Sequence, residues 1–308
     1  MTTTQVSFPL SVTNLITPSL LDSLFTLEIP WPKESPPTAT QWSTQTASTA
    51  TYKTLCWDVL LALSKIPLFD AQNLDFLTLL PSPDDPSFPT QALGLLILLD
   101  QAPRHLCTNL HERWRNAFFD PLALSYSLAL RALPPPHHIH TFPRWEKQGW
   151  TYEHFNTMCN FLTAPFAHSE SHPIHSTHLL PEVAARRRLT EKHYGVKDVQ
   201  HAHELADASP LHTSSNTLAF AELIRAWVPP EADMAETVFW WCRVKEAHTP
   251  IIRVFGRYPY RNRAMGRVST AEEEVFLEQT GHFGVSVDEE ATGRIREDVE
   301  RGVWTALG

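Results

Sequence analysis

The chain has 308 residues, enough for one large domain or two modest ones with a substantial core. With 43% hydrophobic and 19% charged residues it is globular rather than disordered. A formal charge of −9 argues against general binding of nucleic acid, which draws on a basic face. Ten Gly against 25 Pro suits helices separated by proline-marked breaks better than a turn-rich β sandwich. Cys56, Cys107, Cys159 and Cys242 are widely spaced with no CxxC pair, which reads as reduced thiols in a cytoplasmic protein. The N-terminus has no basic region ahead of a continuous apolar core. The longest apolar stretch, residues 92–99, falls far short of a membrane span, so no membrane role is expected.

Residues 1–50 are rich in Thr, Ser and Pro and read as an arm, partly docked through helical spacing over residues 20–27. Residues 51–308 read as one helical domain. TYKTLCWDVLLALSKI places Leu55, Val59, Leu60 and Leu63 on one helical face, and Pro67 marks its end. A short helix is predicted over 70–80, before the loop PSPDDPSFPT. Residues 90–116 read as one or two helices interrupted near Pro103. Asp120-Pro121 reads as an N-cap with proline at the first helical position, opening a helix to residue 133. Helical patterns follow over 151–166, 182–194, 216–227 and 231–248, the last with Val238, Trp241, Cys242 and Lys245 on one face. Ser269-Thr-Ala-Glu-Glu resembles an N-cap with acidic residues in the first turn, opening 271–279. The whole reads as all-α, a single domain of stacked antiparallel helix pairs without a clean repeat period.

Two segments carry a resemblance to a known family. RVFGRYPYRNRAMGRVSTAEEEVFL resembles the signature of the helical, tetratricopeptide-like proteins called domain of unknown function 924, and LLILLDQAPRHL is similar to that family's LDQFPRN segment. Between them, PFAHSE is similar to its PxxHSE segment. The likeness covers about the last two-thirds of the chain. Matching positions are Asp100, Gln101, Arg104, His168, Glu170, His248, Arg253, Gly256, Arg257, Arg261, Asn262, Gly266 and Arg267. Ala102, His105 and Tyr260 depart from the pattern, which implies a pocket different from the common one. The resemblance implies a tetratricopeptide-like fold and no particular reaction.

Arg253, Arg257, Arg261, Arg263 and Arg267 fall within fifteen residues, interleaved with Phe255, Tyr258 and Tyr260. Guanidinium forks suit carboxylate, phosphate or enolate oxygens, but also suit structural pairing with Asp100, Glu170 and the acids at 272–274. Asp100 ends a strongly apolar helix and needs a partner, most simply Arg104 one turn later. His168 is the first choice for a titrating group, with Glu170 as its orienter or as an arginine partner, and His248 is the second. The run His168, Glu170, His172, His175, His178 is interrupted by Pro173 and contains no HExxH, so a solvent-exposed histidine-rich loop accounts for it and no metal is assigned. There is no GxGxxG, P-loop or GxSxG motif, and no cofactor is assigned.

The expected function is binding of a small, apolar metabolite bearing a carbonyl or carboxylate, with cofactor-independent cyclase, isomerase or lyase chemistry, pericyclic closure included. His168, Arg257 and Tyr260 are expected to be catalytic. Asp100, Gln101, Arg104, Glu170, His248, Arg253, Arg261 and Asn262 are expected to contact substrate. The alternative is a scaffold that holds a peptide or protein partner in a helical groove.

Overall fold

The computed structural model describes residues 7–201 and 216–308; residues 1–6 of the arm and 202–215 of the helical domain lie outside the described residues. The longer helices are α1 (Pro18–Glu28), α2 (Thr49–Ser64), α3 (Phe88–Leu106), α4 (Asp120–Ala132), α5 (Tyr152–His168), α6 (Leu180–Tyr194), α7 (Ala219–Ala226), α8 (Met234–Glu246), α9 (His248–Phe255), α10 (Ala271–Gln279) and α11 (Glu289–Glu300). Among the described residues there is no strand, and the fold is all-α. No helix among them is long and apolar enough to cross a membrane.

The fold is organised by α3, whose sequence is apolar on every side. Leu93, Leu95, Leu96, Ile97, Leu98 and Leu99 are all fully buried, as a helix without a polar face must be. Helices α1, α2, α4 and α5 pack around it, and α6 pairs with α8 further along. Residues 7–50 are built into this core, with Val12, Leu21 and Leu24 at zero exposure. Gly94 permits the closest approach: a Cβ there would stand 2.1 Å from the Leu21 carbonyl oxygen.

Several local expectations are corrected. No break occurs at Pro103; α3 continues to Leu106 and ends at Cys107, whose extended backbone turns the chain and whose N–H donates to the Pro103 carbonyl. Loss of one helical hydrogen bond is tolerated in a helix this well packed. The helix predicted over 70–80 is two short turns, Leu68–Ala71 and Phe76–Leu79, the second capped by Asp75. The histidine run is not an exposed loop: it forms the turns His172–Ile174 and His175–Leu179, and His175 is fully buried. Asp120 is not an N-cap either. Its backbone is helical, and a π-helical turn over Arg115–Phe119 leads straight into it. The final helix, α11, has no counterpart in the sequence reading, because its buried face of Ala291, Thr292 and Ile295 is poor in large apolar residues.

Candidate functional site

The site forms where the C-terminal ends of α3 and α5 meet the start of α4. Asp100 lies one helical turn before Arg104 and only 1% of it is exposed, so its charge must be met inside the protein. Arg104 meets it: Nη2 reaches Asp100 Oδ1 at 3.2 Å and Asp120 Oδ1 at 2.6 Å. The π turn shifts the helical register at this point, and such turns recur at functional sites. Arg261 Nη1 approaches the other oxygen of Asp120 at 3.2 Å and donates to the His168 carbonyl at 3.0 Å, satisfying the open end of α5.

His168 Nδ1 lies 2.8 Å from Asp100 Oδ1 and also touches Arg104 Nη2. Burial, with Arg104 alongside, pulls the His168 pKa down to about 4, so the ring is neutral at pH 7 and carries one proton. With that proton on Nδ1 the ring donates to Asp100 and Nε2 keeps its lone pair; with it on Nε2, Nδ1 accepts from Arg104 instead. No hydrogen bond to Nε2 is made among the described residues. Burial would raise the Asp100 carboxyl, but Arg104 and His168 outweigh it and hold the group well below the usual carboxylate range.

His168 and Arg104 border a cavity of about 300 Å³. Its apolar wall is Trp42, Phe161, Trp227 and Trp241, with Trp42 and Trp241 stacked at 6.4 Å. Its polar wall is Glu28, Gln101, Arg104, His168 and Lys245. Trp227 stands at the end of α7 with φ 56° and ψ 174°, a conformation that only glycine adopts without strain. The Glu28 carboxyl is raised by burial, and it accepts a hydrogen bond from the Tyr52 hydroxyl. Lys245 is 7% exposed, and burial lowers its pKa to about 8. His168 also borders a second hollow of about 310 Å³, walled in part by Asn116, Asp120, Arg261 and Arg267. A larger hollow of about 800 Å³ lies against residues 196–200 and part of 229–243.

Most of the other residues singled out from the sequence have partners elsewhere in the fold. Glu170 accepts both Nη atoms of Arg267, at 2.8 and 2.9 Å, and the Tyr258 N–H at 2.9 Å; it is an arginine partner, and Asp100 is the orienter of His168. Arg257 forms a two-point pair with Glu273, Nε to Oε1 at 2.6 Å and Nη2 to Oε2 at 2.7 Å. Asn262 donates to Ser269 Oγ and to Glu273 Oε2, closing the same turn. Gly256, at φ 68°, ends α9 in the left-handed conformation, as Gly266 does for the next turn. Arg253 is exposed. His248 is buried, donates from Nδ1 to the Val244 carbonyl and packs on Phe220 at 4.1 Å. Tyr260 stacks on Tyr258 at 5.1 Å, and its pKa is pushed up to about 12, chiefly by burial. Glu170, His248, Arg253, Arg257, Tyr260 and Asn262 all stand apart from the Trp-walled cavity. Gln101 borders it, and donates to Asp100.

Asp120, Lys245, Glu28 and the three tryptophans are site residues that the sequence reading does not reach. A signal existed for Lys245, a cation on the apolar stripe of Val238, Trp241 and Cys242. Asp120-Pro121 carried a stronger local message, a helix start, which hid the aspartate's long-range role.

Asp100, Asp120 and His168 present ligand atoms within 4.8 Å of one another, a spacing that suits a metal ion. Here Arg104 and Arg261 already supply two cationic groups to the two carboxylates, and an added cation would face both. The donor set is a charge-balanced network rather than a metal cage.

These features define an all-α protein with a buried Asp–Arg–His network opening on an aromatic cavity. The family model described as "Bacterial protein of unknown function (DUF924)" matches residues 80–281, and the chain belongs to that family. No curated protein and no solved structure matches it. The matched span contains Asp100, Arg104, Asp120, His168, Lys245 and Arg261, while Glu28 and Trp42 lie outside it.

Proposed function

We propose that the protein binds a small, largely apolar metabolite carrying a carbonyl or carboxylate and rearranges it by proton transfer, as a cofactor-independent isomerase, cyclase or lyase. The observation that carries this reading is the convergence of a neutral histidine, a fixed guanidinium and a carboxyl of raised pKa on one tryptophan-walled cavity. About 300 Å³ suits a small molecule, and ligand sites characteristically combine apolar walls with a few placed polar groups.

His168 Nε2 takes a proton from carbon beside the carbonyl, and Asp100 steadies the imidazolium that forms. Arg104 stabilises the enolate oxygen as charge develops there. Glu28, in the acid form that burial favours, returns a proton at a second carbon, and His168 passes its own proton back to Glu28 through water. The net result is movement of a double bond or closure of a ring without an external redox partner.

The test is native mass spectrometry of the protein after incubation with small-molecule extracts, repeated with Trp241→Ala and His168→Gln. A stoichiometric small ligand retained by the parent and His168→Gln proteins, lost by Trp241→Ala and returned chemically altered only by the parent supports the reading. Retention indifferent to Trp241→Ala, or peptides retained in place of small molecules, refutes it and favours a scaffold.

A further inference from the structure

Lys245 sits in the last turn of α8 and forms part of the cavity wall. An ammonium group has three N–H donors and needs acceptors or water for each of them. Among the described residues Nζ makes one bond, to the Asn160 carbonyl at 3.3 Å, and no carboxylate lies within ion-pair distance. The side chain is nonetheless more than nine-tenths buried. Burial is the main influence on the amine; Asp100, though outside ion-pair distance, is the largest charge effect and favours the cation, while Arg186 and Arg104 oppose it. By contrast Lys197, 80% exposed in its side chain, pairs with Glu191 at 3.0 Å and is an ordinary solvated lysine.

A buried, nearly unpartnered amine facing an aromatic cavity has no structural task in view. Burial of that kind activates lysine as a nucleophile, because the neutral amine carries the reactive lone pair. We infer that Lys245 attacks the carbonyl carbon of an aldehyde or ketone bound in the Trp-walled cavity and forms an imine with it. The inference rests on the proposed carbonyl-binding reading of that cavity and puts a covalent imine and its enamine in place of the enolate.

The step is balanced without any oxidant. Nζ bonds to the carbonyl carbon, the carbonyl oxygen gains two protons and departs as water, and a C=N bond replaces C=O. Once protonated, the imine nitrogen draws electrons from the neighbouring C–H bond, and His168 Nε2 takes the proton. An enamine results, competent to accept a proton or a carbon electrophile at a new position. Water then releases the product and restores the amine. With a pKa of about 8 Lys245 is mostly protonated at neutral pH, and it reacts through a neutral minority that is larger than that of an ordinary lysine and is replenished as it reacts.

The experiment uses 2-naphthaldehyde as the probe, with sodium cyanoborohydride to reduce any imine to a stable secondary amine. Intact-mass and peptide mass spectrometry at pH 7.5 follow every lysine in the parent protein, so no variant need fold for the comparison to be read. The expected result is modification of Lys245 at least about tenfold faster than any other lysine, as a lowered pKa and a bound aldehyde together require. The rate should rise with pH and level off above about 8, and the modification should vanish in Lys245→Met and in Lys245→Arg.

Quenching of tryptophan fluorescence by the same aldehyde separates the two ideas. Quenching that persists in Lys245→Met but depends on Trp241, with no preferential adduct at Lys245 in the parent protein, overturns the imine and leaves the carbonyl-binding reading standing. Absence of both quenching and adduct overturns both. Uniform modification of all lysines overturns the imine alone.

Discussion

Asp100 Oδ1 and His168 Nδ1 stand 2.8 Å apart where α3 and α5 meet, and Arg104 grips the same carboxylate from one helical turn away. The carboxylate therefore shares a guanidinium with Asp120 and holds the His168 ring by its Nδ1 edge. Asp100→Asn preserves the shape and leaves Arg104 with Asp120 alone. Loss of one charge-assisted hydrogen bond costs about 1–3 kcal/mol. Urea unfolding should show a loss in that range. The Nδ1 proton of His168 should also lose its downfield NMR resonance, since its acceptor is no longer charged. An unchanged resonance with full stability would mean that Asp100 orients nothing.

The Arg-rich segment shows what sequence reading reaches and what it misses. Arg253, Arg257, Arg261 and Arg267 look alike in sequence, yet they meet solvent, Glu273, Asp120 and Glu170 respectively. Their spacing reveals a cluster of cations but not which acid each will find, because the acids met by Arg261 and Arg267 lie at least 97 residues away. Local signals fared better: the Ser269-Thr-Ala-Glu-Glu segment does start a helix, with Thr270 and Glu273 forming a capping box. Asp120 shows the converse failure, where a strong local pattern conceals a distant partner. The cavity was least legible of all, because Glu28 and Trp42 come from the Pro- and Thr-rich arm, and only tertiary packing brings them to His168.

Arg257→Gln separates a structural arginine from a site arginine. It removes both bonds to Glu273, whose side chain is 2% exposed, and leaves that carboxylate with Asn262 and the Thr270 N–H. The expected cost is about 1–3 kcal/mol of stability, read by urea unfolding. Aldehyde quenching of the cavity tryptophans should be unchanged. Loss of quenching at full stability would instead place Arg257 at the ligand.

Mild acid should destabilise the protein through its buried histidines. His168 and His175 each have a folded-state pKa pulled to about 4, chiefly by burial, against an ordinary value of 6.5. Below 6.5 the unfolded chain binds protons that the folded one refuses. The stability these groups contribute is thus present above pH 6.5 and lost as pH falls towards 4. Each accounts for up to roughly 3 kcal/mol at the acid end of that window. Glu28, whose carboxyl is raised, offsets part of the loss. Glu170 and Glu273 are lowered and add theirs only below 4.5. Urea midpoints measured between pH 7 and pH 5 should fall steadily, and less so in His175→Asn. A flat profile would show that these rings are not held neutral by the fold.

Gly94 ties the arm to the cavity, and one methyl group tests the link. The Cβ of an alanine would stand 2.1 Å from the Leu21 carbonyl oxygen and 2.8 Å from its carbon, both of them backbone atoms that no rotamer change can move. Helix α1 must shift away from α3, opening the contacts of Leu21, Leu24 and Phe25 with the core. Overpacking of this kind costs about 1–3 kcal/mol, whereas the same change in a roomy helix interior would stabilise by about 1 kcal/mol through propensity. Because α1 ends at Glu28, which forms part of the cavity wall, the same shift should weaken aldehyde quenching of the tryptophans severalfold. Gly293, in α11, supplies the control, since a Cβ added there would meet nothing within 4 Å. Gly293→Ala should raise stability slightly and leave quenching untouched. If Gly94→Ala behaved like Gly293→Ala, the arm would not be packed as described, and its contribution of Glu28 to the site would fall with it.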